Sequence, residues 1–74
     1  MISAELRKLV QPTPFRPFRL HLADGRAVEV PHPEYIFVFH REPLAIVEKL
    51  TGGTEYVNLP IVTSVEILGA ADAA

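Results

Sequence analysis

From Phe18 to Val30 the chain alternates apolar and polar positions with a period of two. Phe18, Leu20 and Leu22 are followed by Val28 and Val30, and Arg19, His21 and Glu29 lie between them. That period is the mark of a half-buried strand, and the break at Ala23-Asp24-Gly25 marks a hairpin. Parity selects the loop. A two-residue turn at Asp24-Gly25 would set Leu20 against Glu29 and His21 against Val28, placing charge in the apolar row. A three-residue loop, a type I turn closed by Gly25 in the left-handed region, sets Leu20 against Val28 and Phe18 against Val30. The odd-length loop is therefore the expectation.

The rest of the chain reads as additions to this hairpin. Ser3 is placed to cap a short helix with Glu5 in its first turn, and Ile2, Leu6, Leu9 and Val10 share one side of it. The helix should end near Gln11, because Pro12, Pro14 and Pro17 favour an extended arm anchored by Phe15 and Phe18. Pro31-His32-Pro33-Glu34 is a sharp bend, a bulge or an edge. Tyr35-Ile36-Phe37-Val38-Phe39 is apolar without a period, as in a strand covered on both faces, the second cover being the helix or another subunit. His40-Arg41-Glu42-Pro43 is a turn, and strands are expected over 44–50, 55–59 and 62–68. Gly52-Gly53 closes the second hairpin, and Pro60 breaks the chain before the last strand. The fold class is mainly β, or α+β by count. A short N-terminal helix precedes about five strongly bent antiparallel strands, forming a small barrel or an open bent sheet. Residues 1–69 make one domain, and 70–74 read as a frayed tail.

Composition narrows what such a domain does. At 74 residues with 49% hydrophobic positions, the chain is small for the apolar surface it must cover, so a partner subunit is the expected supplement. It has no cysteine, which excludes disulfides and thiolate zinc sites and fits a reducing, cytoplasmic location. No run is long enough for a membrane helix, and charges interrupt the first ten residues where a signal peptide would be apolar. Net charge is −2, which argues against a general nucleic-acid binder. The charge is unevenly spread. Residues 1–26 carry five cations against Glu5 and Asp24, and residues 27–74 carry Arg41 and Lys49 against seven acids. Folding either mixes the two halves or leaves a basic face to meet the acidic face of a neighbouring copy.

Candidate chemistry is sparse. His21, His32 and His40 form no close-spaced metal pair, so no metal or other cofactor is expected. His32, held between two prolines with Glu34 and Tyr35 nearby, is the one candidate for acid-base work, and bend geometry explains the same residues without chemistry. No hydroxyl sits in a nucleophile-elbow context, and Gly52-Gly53 does not open a helix that would bind phosphate. Arg16, Arg19 and Arg26 with Phe15 and Tyr35 are the set that would stack on and neutralise single-stranded nucleic acid. The competing account is that these arginines decorate the outer face of the first strand.

The run P-F-R-P-F-R-L-H-L-A-D-G-R-A-V-E-V-P-H-P-E, residues 14–34, resembles a motif of short uncharacterised bacterial proteins. Those proteins begin with a similar helix and end with a segment like Val62-Thr63-Ser64-Val65-Glu66-Ile67. The resemblance implies a family and brings no activity. The order of elements is also similar to the Sm-like fold, with a matching turn at Leu22-Ala23-Asp24-Gly25-Arg26 and another at Asn58-Leu59-Pro60-Ile61. That resemblance implies subunits joined edge to edge in rings, and RNA contacts. The chain departs from that family's pattern at Val28-Glu29-Val30, where the family carries a glycine. The combined expectation is a non-enzymatic module that associates with itself. Single-stranded RNA binding through Arg16, Arg19, Arg26, His32 and Tyr35 is the alternative, and a small acid-base enzyme using His32 and Glu34 is a third.

Overall fold

A computed structural model describes residues 1–69, so the expected frayed tail at 70–74 lies outside the described residues. One helix, α1 (Ser3–Val10), precedes six strands: β1 (Phe18–Leu22), β2 (Ala27–Val30), β3 (Ile36–Val38), β4 (Leu44–Glu48), β5 (Thr54–Asn58) and β6 (Val62–Ile67). Short 3-10 turns, Pro33–Tyr35 and Leu59–Ile61, separate β2 from β3 and β5 from β6. The six strands fall on the six stretches that the sequence marks as strands, one more than the count of about five.

The strands form two three-stranded antiparallel sheets, β2-β1-β6 and β3-β4-β5, and no ladder joins them into a closed barrel. The open, bent form of the expectation is the one adopted. Their inner faces meet in a single core. Phe18, Leu20, Leu22, Val28 and Val30 come from the first sheet and Val38, Ala45, Val47 and Val57 from the second, with Leu6, Phe15 and Leu59 closing the sides. Among the described residues no helix is long and apolar enough to cross a membrane.

The first hairpin has the register that parity selected: Phe18 faces Val30 and Leu20 faces Val28. The Leu22 N–H donates to the Arg26 carbonyl at 2.8 Å and the Gly25 N–H to the Leu22 carbonyl at 3.0 Å, with Gly25 at φ 92°. A Cβ added at Gly25 would meet nothing within 4 Å, so only the backbone conformation resists substitution. Gly25→Ala should therefore cost about 1 kcal/mol and lower Tm by about 4–8 °C, measured by thermal denaturation. An unchanged Tm would show that the loop relaxes to another turn.

Several local expectations need correction. Ser3 is the first helical residue and Ile2 the cap, so the cap site has no side-chain acceptor. Glu5 supplies half of a capping box by accepting the Ile2 N–H at 3.1 Å, and the Ser3 hydroxyl instead donates to the Glu42 carbonyl at 3.2 Å. Ile2 is exposed and only Leu6 of the helical stripe is fully buried, because the helix packs at one end of the sandwich and not flat on a sheet. The strand expected over 44–50 stops at Glu48, since Lys49 already belongs to the turn its carbonyl closes with the Gly52 N–H. Strand β6 carries an extra residue against β1, where His21 pairs with Ser64 and Leu22 with Val62. The bulged Thr63 donates its hydroxyl to the His21 carbonyl at 3.1 Å.

Candidate functional site

The outer faces of the two sheets are chemically opposite. On β2-β1-β6 the outward positions are polar. Arg19, on the central strand, bonds Glu29 of β2 at 2.8 Å and Glu66 of β6 at 3.2 Å, and His21 lies 2.9 Å from the same Glu66 oxygen. Arg26, at the hairpin tip, holds Asp24 at 2.8 Å and also reaches Glu55 of β5, which Lys49 contacts at 3.1 Å. Glu55 occupies an inward-facing register position opposite the buried Val47, at the open end of the sandwich. The Arg26 contact thereby ties the two sheets together across that end.

These pairings resolve the uneven charge of the sequence. Two of the five cations of residues 1–26, Arg19 and Arg26, pair with acids from the far end of the chain, Glu66 and Glu55. The halves are mixed by folding. Arg16 donates to the Gly69 carbonyl at 2.9 Å, whereas Arg19 and Arg26 are held by carboxylates. Arg19 decorates the outer face of the first strand, as the simpler account held. His32 is exposed at the start of the 3-10 turn, and its ring lies 5.7 Å from that of Tyr35. Among the described residues no group of three His, Asp or Glu side chains is placed to hold a metal ion.

Three of the paired carboxylates, Glu66, Glu55 and Asp24, titrate low. His21 and then Arg19 hold Glu66 below the ordinary carboxylate range, Lys49 and then Arg26 do the same for Glu55, and Arg26 lowers Asp24 through its N–H and its guanidinium. A depressed folded pKa contributes stability that is complete above the unfolded value and is lost as pH falls through the folded one. Tm should accordingly drop on acidification below about pH 4.5, and Glu66→Gln with Glu55→Gln should flatten that drop. An acid profile unaltered in the double variant would assign the loss to other groups.

The outer face of β3-β4-β5 is apolar. The register puts Phe37 opposite Ile46 and Ile46 opposite Tyr56, a row running straight across the sheet. Phe37 is 55% exposed and Tyr56 63%. Flanking rows, continued from the same register, hold Tyr35, Glu48 and Thr54 on one side and Phe39, Leu44 and Asn58 on the other. The Phe37 and Phe39 rings meet edge to face at 5.3 Å. A cleft of about 380 Å³ lies at the first of these rows, between Glu34, Tyr35, Phe37 and Glu48.

No protein-family model, curated protein or solved structure matches this chain. The site therefore stands on its own geometry. Of the two covers expected for the second face of 35–39, the helix or another subunit, the helix is the one the fold does not supply. Within the chain the strand is covered on one face, since Val38 is buried and Phe37 projects outward, while α1 touches only the strand's end through Arg7 on the Phe39 carbonyl at 3.2 Å. Of the sequence candidates, Tyr35 belongs to this face and Glu34 lines the cleft at its end. Phe37, Ile46 and Tyr56 were missed, because an aperiodic apolar run does not say which of its residues point outward. A usable signal was Tyr56, an aromatic residue between the polar Glu55 and Asn58 on a strand whose buried member is Val57.

Proposed function

We propose that the protein is a non-enzymatic, cytoplasmic binding module that works as an assembly of its own copies, with the outer face of β3-β4-β5 as the contact surface. The observation that carries this reading is the Phe37–Ile46–Tyr56 row, continuous across three strands and open to solvent. Apolar patches of this kind on a small monomer mark interaction surfaces, and ordered strands present it rigidly. The Sm-like reading of the architecture draws support from the 3-10 turn Leu59–Ile61 before the last strand and from β1 pairing with both β2 and β6. Single-stranded RNA binding has less support, since Arg19 and Arg26 are engaged by carboxylates.

The size of the surface sets the strength. Three strands about 4.8 Å apart, one of 3 residues and two of 5, give a footprint of a few hundred Å², below the roughly 800 Å² per partner of a standard interface. Association in the micromolar range is expected. Sedimentation velocity from about 5 to 300 μM should show the weight-average mass rising from 8.2 kDa toward twice that value. A single monomeric species throughout would end the proposal.

A further inference from the structure

Resting on the reading just given, the charges at the two ends of the apolar face decide how two copies meet. One end carries Glu34 and Glu48, beside the Tyr35 and Phe37 rings that line the 380 Å³ cleft. The other end is the turn between β3 and β4, where Arg41 is exposed. Among the described residues, none of the ion pairs involves Glu34, Glu48 or Arg41. The face thus has an acidic end, an apolar middle and an end bearing a cation, with Glu42 beside Arg41 in the turn.

Two identical faces pack through a two-fold axis lying in the plane between them. If the axis runs along the strands, like ends superpose, and the Glu34 and Glu48 carboxylates of the two copies crowd together without a counterion. If it runs across the strands, along the Phe37–Ile46–Tyr56 row, that row packs on itself and each acidic end meets the other copy's β3–β4 turn. Like charges brought together at an interface oppose association, whereas opposite charges favour it and set the register.

We infer that the protein forms an isologous dimer with its two apolar sheets stacked and their strands antiparallel, and that the cleft at Glu34 and Glu48 seats Arg41 of the second copy. The chemistry of the cleft fits a guanidinium. Its planar cation stacks on an aromatic ring such as Tyr35 while its N–H groups donate to carboxylates on either side. The dimer then holds two such seats, related by the axis, one at each end of the shared aromatic row.

Charge reversal tests this register. The parent protein is compared with Arg41→Glu, with Glu48→Arg and with the double variant by sedimentation velocity, after circular dichroism has shown each to be folded. Each single reversal should weaken the dimer by about tenfold or more, because Arg41→Glu brings a third acid into each seat and Glu48→Arg sets a second cation beside Arg41. The double variant should recover to within about threefold of the parent. Mixing the two single variants should also restore dimer, since in that heterodimer every seat again pairs a cation with an acid. Singles that match the parent, or singles that weaken with no recovery in the mixture and the double, would overturn this register while leaving self-association standing. A parent that stays monomeric to 300 μM would remove both readings.

Discussion

Phe18→Ala is expected to leave little folded protein at 37 °C. Phe18 sits on the central strand of the first sheet, pairs with Val30 on one side and Ile67 on the other, and is fully buried, with the Phe15 ring 5.8 Å away. Truncating a buried phenylalanine to alanine costs about 3–5 kcal/mol, the transfer term plus the cavity left behind. A chain of this length has a total stability of only roughly 4–11 kcal/mol. The substitution removes between about a quarter and all of it. A urea titration followed by circular dichroism checks this through the shift in midpoint. Phe37→Ala is the matched control, the same change on a residue 55% exposed, and should move the midpoint far less. Equal shifts for the two would mean that the outer face is as tightly packed as the core.

Replacing Phe37 and Tyr56 together by serine should abolish association while leaving the fold intact. Both lie in the row that the proposed dimer packs on itself, and both are already open to solvent in the monomer, so the folded chain loses little. Central aromatic residues of an interface cost about 2 kcal/mol or more each on truncation, close to a thirtyfold loss of affinity apiece. At protein concentrations where the parent is dimeric, the double variant should sediment as an 8.2 kDa monomer with an unchanged circular dichroism spectrum. Assembly as strong as the parent's would move the interface to the strand edges of β5 and β6, the edges that ring-forming association would use.

The two substitutions concern residues that the sequence treats very differently. Phe18 was legible because its neighbours alternate, and alternation assigns a face. Phe37 lies in a run where every residue is apolar, and such a run gives no parity to read. Its exposure follows from position: β3 is an edge strand of a sheet whose inner face already receives Val38, Ala45, Val47 and Val57, and the helix, one of the two covers expected for the outer face, is held at the end of the sandwich by Ser3 on Glu42 and Arg7 on Phe39. The cation pairs were hidden for a related reason. Arg19 and Glu66 are 47 positions apart, and nothing local announces that β6 will lie beside β1.

By itself, the sequence determined the first hairpin to the residue, the helix length, the position of the bends and the preponderance of β structure. Each of these is a local matter of backbone sterics, turn chemistry and two-residue parity, which neighbouring residues settle among themselves. Only the tertiary structure decided that the strands divide into two sheets, that Arg19 and Arg26 meet acids of β6 and β5, and that one outer face is polar and the other aromatic. Those outcomes depend on which distant strands pair and in which register, a choice made by burying the whole apolar set at once, and no short stretch of the chain contains it.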